Sequence, residues 1–157
     1  MPTDAHLYKI RDKRRFLMAA MRELAGTARI SFEGDLSTTA VAQLAGASAD
    51  ETEILKRNTL WPKQDFVVLP LETDLVGAII AVVGGTVPRG IFHIQIEKGN
   101  RLELGLYDNC APKASFFGPS LTPSSLRTCK GTGLSRNGRN ADARKVPLIG
   151  EFDFQLA

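Results

Sequence analysis

Histidine and cysteine are both scarce in this 157-residue chain, two of each, and that scarcity closes several chemistries at once. Two histidines cannot build a histidine-rich metal centre. Cys110 and Cys129 stand in no C-x-x-C or zinc-type spacing, so neither a structural zinc site nor a redox-active dithiol is expected. The pair also offers no disulfide framework of the kind small secreted domains depend on, and this leans toward a cytoplasmic protein. Long apolar runs are missing too. The greasiest, Leu75 to Val83, is about half of the length a membrane helix needs. The basic stretch from Arg11 to Arg15, followed by Phe16 to Met21, imitates a signal peptide only until Arg22 and Glu23 interrupt it. Neither export nor membrane insertion is expected. The signatures G-x-x-x-x-G-K-S/T, G-x-S-x-G and H-E-x-x-H are absent. Gly131-Thr132-Gly133 has no convincing strand before it and makes no dinucleotide fingerprint. No cofactor and no metal are expected.

What is present is ordinary for a folded protein. Hydrophobic residues make up 43% and charged residues 24% of the chain, enough for one domain over 1–157 with its own core. The net charge of +3 is unevenly spread: residues 1–15 carry +3, residues 16–124 carry −3, residues 125–145 carry +5, and the rest −2. Basicity therefore sits in two patches on a mildly acidic body, a weak pointer to a polyanion. No internal repeat is visible.

Periodicity supplies the elements. Asp4 is placed to cap a first helix, with Leu7, Ile10, Leu17, Met21 and Leu24 on one stripe, Arg14 among them, and Gly26 as its stop. Ala28 to Glu33 alternates as a strand and Gly34-Asp35 ends it. Residues 36–47 read as loop with a helical turn. Ser48 and Glu51 form a capping box for a short helix to about Arg57. Asp65 to Leu69 is apolar on both faces, which suggests an interior strand, with Pro70 limiting its pairing. Thr73 caps a nearly all-apolar helix to Val83, stopped by Gly84-Gly85. Such a helix calls for cover from the sheet and from another helix or a second copy of the chain.

Residues 91–107 carry the sharpest pattern. A hairpin closing at Lys98-Gly99-Asn100 pairs Glu97 with Arg101. It then stacks Phe92, Ile94, Ile96, Leu102, Leu104 and Leu106 on one side, and sets Gln95 against Glu103, His93 against Gly105 and Ile91 against Tyr107 on the other. This reads as an antiparallel ribbon, greasy side on helices, polar side open. Further on, Thr122-Pro123 starts a helix that Lys130-Gly131 stops, 131–145 is a mobile basic loop, and Phe152 and Phe154 alternate as a closing strand. The expected fold class is α+β, a two-layer sandwich with helices on one face of a mixed β-sheet that contains the antiparallel hairpin at about 91–107.

The candidate catalytic group is His93, with Glu103, Tyr107 and Asp108 around it. Gly105 opposite the imidazole leaves room for a ligand, and Glu103 or Asp108 would orient the ring for acid–base work. The plainer reading is one polar residue on a wet sheet face. Cys110, just after the strand, would need His93 as its base to act as a nucleophile, and a buried inert thiol is the simpler account; Cys129 is read the same way. Glu33 and Asp35, with Asp108, could hold a divalent cation, but turn chemistry explains them. Asp50, Glu51 and Glu53 suit a helix start. Arg127, Lys130, Arg136, Arg139, Arg144 and Lys145 could follow a phosphate backbone, yet no aromatic lies among them to stack a base. Leu60-Trp61-Pro62 and Phe116-Phe117-Gly118-Pro119 put large apolar groups in loops, either as recognition anchors or as the edge of a core. Absence of a catalytic signature favours a non-catalytic protein-interaction or ligand-binding domain. Its partner would be another protein or a second copy in a homodimer. A small enzyme around His93 is the alternative, nucleic-acid binding through 127–145 the third and disfavoured one.

Overall fold

The computed structural model describes residues 8–10, 12–83, 89–111, 114–121 and 154–156. In chain order these form β1 (Tyr8–Ile10), α1 (Lys13–Leu24), β2 (Ala28–Gly34), β3 (Asp65–Leu71), α2 (Val76–Val83), β4 (Ile91–Lys98), β5 (Arg101–Leu106), β6 (Phe116–Phe117) and β7 (Phe154–Leu156). Short 3-10 turns lie at Val41–Gln43 and Thr73–Leu75. The fold is α+β: two helices and a five-strand sheet in the order β3-β2-β4-β5-β6, with β1 and β7 paired separately. Every pairing is antiparallel, so the mixed sheet expected above is not what forms.

The α1 stripe was legible but its start was not. Asp12, not Asp4, is the cap: its Oδ1 accepts the Arg15 amide at 3.0 Å. Ile10 belongs to a strand instead, while Asp4 and Leu7 lie outside the described residues. Phe16, Leu17, Ala20, Met21 and Leu24 bury one face of the helix, and Arg14 stays exposed. Gly26 follows the helix at φ +99° and sends its amide to Leu71 O at 2.9 Å, tying the helix exit to the end of β3.

The core runs continuously from both helices to alternate residues of the sheet. Ile30 and Phe32 of β2, Val67 and Leu69 of β3, Ile94 and Ile96 of β4, and Leu104 and Leu106 of β5 share one cluster with α1 and with Ile79, Ile80 and Val83 of α2. Truncating a fully buried ring such as Phe16 to alanine would cost about 3–5 kcal/mol. The almost wholly apolar α2 turns only Gly77, Ala78 and Ala81 fully outward. Its exposed side is thus a strip of small groups, and α2 needs no second copy to cover it. Its stop at Gly84-Gly85 lies outside the described residues, as do the helix expected after Thr122 and the basic loop 131–145.

Two further expectations fail for identifiable reasons. Residues 48–57 are not helical. Ser48 instead pairs backbone to backbone with Val68, at 2.9 and 2.7 Å, and Glu51 spends its carboxylate on the Arg57 amide rather than on a capping box. β3 is an edge strand, not an interior one. It is apolar on both faces because Phe66 and Val68 pack with Leu55 on the side away from the helices. Pro70 suits an edge, lacking the amide a second neighbour would require.

The hairpin closes on two residues, Gly99 at φ +60° and Asn100 at φ +58°, so Lys98 pairs with Arg101 and Glu97 with Leu102. Between Ile96 and Glu97 the register shifts, leaving Glu103 as an extra residue in β5; a second shift, between Glu33 and Gly34, leaves Phe92 extra in β4. Gln95, not His93, therefore faces Gly105, and Leu102 leaves the expected stripe to pack beside Leu55. Ile94, Ile96, Leu104 and Leu106 keep their common greasy face, because a register slip of two preserves parity.

Candidate functional site

The polar sheet face is not open. Ser31, Glu33, His93, Gln95 and Glu97 all lie buried on the side away from the helices. They are covered by residues 48–64, a segment with neither helix nor strand. Buried amides must find partners, and here they find side chains from the sheet and from the segment itself. Glu33 accepts the amides of Asn58 at 2.8 Å and Thr59 at 2.9 Å. Gln95 Oε1 accepts the Lys56 amide at 3.1 Å, and Glu97 accepts the Thr52 hydroxyl at 3.2 Å. The Thr52 hydroxyl oxygen takes the amides of Ile54 and Leu55, and Glu51 takes that of Arg57 at 2.8 Å. Arg57 in turn donates to Gln64 O at 2.9 Å and lies over the Phe66 ring.

This anchoring ends at Thr59. The next two residues, Leu60 and Trp61, are 93% and 86% exposed. They stand beside an open depression of about 770 Å³ that also holds Asn58, His93, Tyr107 and Asp108. The floor is rigid. The Asp108 amide donates to His93 Nδ1 at 3.2 Å, which places the proton of the neutral ring on Nε2, and Nε2 donates to Thr59 Oγ1 at 3.0 Å. The Tyr107 hydroxyl accepts from Gln95 Nε2 at 2.9 Å. A Cβ on Gly105 would come within 2.7 Å of the Tyr107 ring, so the missing side chain there makes room for that ring rather than for a ligand.

Asp108, Asn109 and Cys110 follow at φ +50°, +58° and +63°, and the Ala111 amide reaches back to Tyr107 O at 2.9 Å. This is one turn of left-handed helix built without glycine, a conformation costing roughly 1–2 kcal/mol per residue. The Asn109 amide pins it to Phe92 O at 3.0 Å.

Of the residues singled out from sequence, His93, Tyr107 and Asp108 come together here and Glu103 does not. As the extra residue of its strand, Glu103 turns toward β6, where its carboxylate takes Arg101 Nε at 2.8 Å and the amide and hydroxyl of Ser120 at 3.1 and 3.0 Å. Burial raises its pKa, but these donors outweigh burial and hold it below the usual carboxylate range. Glu33 and Asp35 part as well: Glu33 is buried under the covering segment, while Asp35 is exposed and lowered in pKa by the hydroxyl and amide of Ser37. Cys110 is buried, and burial pushes its thiol up to about 11 despite Lys13 nearby. Among the described residues no group of three or more His, Cys, Asp or Glu could hold a metal ion, and no helix is long and apolar enough to cross a membrane. Phe116 and Phe117 form β6 rather than a loop, and Phe117 packs its ring edge-on against Phe16. Sequence reasoning passed over Asn58 and Thr59; nothing in their local pattern announces that a carboxylate 25 and 26 residues earlier, respectively, holds them.

No protein-family model matches this chain, and neither the curated proteins nor the solved structures compared with it contain a match.

Proposed function

We propose that this chain is a non-catalytic interaction domain that recognises a partner protein through Leu60, Trp61 and the depression beside them. The single observation behind this reading is that two large apolar side chains stand almost fully in water at the end of a segment whose amides are fastened down. A loop that merely closed a core would turn such groups inward. An exposed tryptophan on a preorganised base keeps its contact area available at little ordering cost on binding. The two-layer arrangement supports this division of labour, with the helices on one sheet face and the anchored segment on the other. A cytoplasmic location and self-association through the same rim belong to the proposal. The acid–base alternative is weakened by geometry: both ring nitrogens of His93 are already engaged, and Glu103 is spent elsewhere. Binding of nucleic acid through 127–145 rests on residues outside those described.

The test is the aromatic photo-cross-linker benzoylphenylalanine at position 61, which keeps a large apolar ring in place of the indole, with the same residue at Ala81 on the far helix as control. A discrete adduct from position 61, erased by Leu60→Ala and absent from position 81, is expected. Adducts that are identical from both positions, or none from either, would reject the interaction reading. Light scattering on the purified chain separates a second copy from another protein.

A further inference from the structure

We infer that the depression receives the guanidinium of an arginine on a basic segment of the partner protein; this rests on the interaction reading and specifies its chemistry. Among the described residues, no lysine or arginine lines the depression. Asp108 is exposed at its edge, and no cation pairs with its carboxylate among the described residues. Behind the rim, the buried Glu33 carboxylate is held by two amides, and among the described residues no cation pairs with it, so a second acidic group lies beneath the same segment. His93 turns its Nδ1 to the Asp108 amide and its Nε2 to Thr59, so both ring nitrogens are engaged within the protein. Among the described residues the site thus presents an exposed carboxylate and acceptor oxygens with no lysine or arginine paired to them.

Two further aromatic rings stand among the walls. Trp61 stands free, and Tyr107 is fixed by Gln95 and by the absence of a Cβ on Gly105. Cations favour such faces, and a guanidinium has the further match of being planar, stacking on a ring while forking onto a carboxylate. An ammonium offers only a point charge. The depression is broad and open, so a free amino acid would gain little there. A chain passing over Leu60 supplies the additional apolar contact. A nucleic-acid strand would meet like charge.

The experiment uses the full chain and the emission of Trp61, its sole tryptophan. It is titrated at low salt with three capped tripeptides carrying leucine on both sides of arginine, citrulline or glutamate. Citrulline keeps the shape of arginine and removes the charge. The arginine peptide is expected to shift the emission saturably, and the other two to bind at least about tenfold more weakly. Raising the salt should weaken it. Asp108→Asn, which keeps the backbone amide and a residue tolerant of positive φ, should lower the affinity about tenfold by calorimetry without moving the melting temperature. Trp61→Ala, at a nearly fully exposed position, should abolish binding and still fold. Equal binding of the citrulline peptide, unchanged affinity in Asp108→Asn, or no binding of the arginine peptide overturns the inference. If position 61 still cross-links a partner under those outcomes, the interaction reading survives and only the arginine chemistry falls.

Discussion

Glu33, near the end of the interior strand β2, holds the Thr59 amide at 2.9 Å from beneath, and Thr59 is the last fastened residue before Leu60 and Trp61. Its second oxygen holds Asn58. One carboxylate thus links a buried strand end to the residues that lead into the exposed Leu60 and Trp61. Sheet stability and presentation of the tryptophan are thereby coupled.

Glu33→Gln should expose that coupling. One carboxamide oxygen can still accept, but the NH₂ would face an amide donor, and the loss of a charged acceptor costs about 1.5–3 kcal/mol. Hydrogen exchange at Asn58 and Thr59 should quicken far more than at Ile94 or Ile96, and Trp61 fluorescence anisotropy should fall. Uniform quickening across the chain would show instead that Glu33 supports the whole fold and not the segment in particular.

Cys110 should be inert. With its thiol pushed up to about 11, almost none is thiolate at pH 8, and the sulfur is buried. Brief iodoacetamide treatment of the native protein, read by peptide mass, should leave Cys110 unmodified, and denaturant should make it react. Rapid alkylation in the native state would contradict both its burial and its raised pKa.

How much of this was legible follows from what kind of signal each part leaves. The α1 stripe and the greasy face of Ile94, Ile96, Leu104 and Leu106 are periodic, and periodicity survives an error of two in register. The shifts that free Phe92 and Glu103 are single extra residues with no mark in the sequence, so Glu103 was placed beside His93 when the bulge carries it away. The stretch 48–57 was misread as a helix because its amides are satisfied from strands far along the chain, while the loop at Leu60-Trp61-Pro62 was read correctly. Local pattern showed only a capping box, and the tertiary partners Val68, Glu33 and Gln95 prevailed. Trp61 was singled out as a large apolar group in a loop, and its exposure beside Tyr107 and Asp108 needed coordinates.

The left-handed turn yields a paired comparison. At φ +50°, Asp108 carries a steric penalty that glycine lacks and alanine feels in full. Both Asp108→Gly and Asp108→Ala lose the same carboxylate, so the difference between them isolates the backbone. The glycine variant should exceed the alanine variant by about 1 kcal/mol in urea unfolding. Equal stabilities would mean that this turn relaxes out of the left-handed region in solution.

Acid should loosen the β5–β6 edge through Glu103. Its folded pKa is lowered from 4.5, because the donors from Ser120 and Arg101 outweigh burial. Its contribution is therefore complete above the unfolded value and is lost as pH falls through the lower folded one. Glu103→Gln should cost about 2 kcal/mol near neutrality, where the wild-type carboxylate is charged and engaged. That gap should narrow as the pH approaches 3, since protonation leaves the wild type little better served than the amide. Paired thermal melts at pH 7, 5, 4 and 3 read the gap directly. A gap of constant size would mean that shape rather than charge holds Ser120 and Arg101 in place, and the acid sensitivity of the chain would then have to come from another carboxylate.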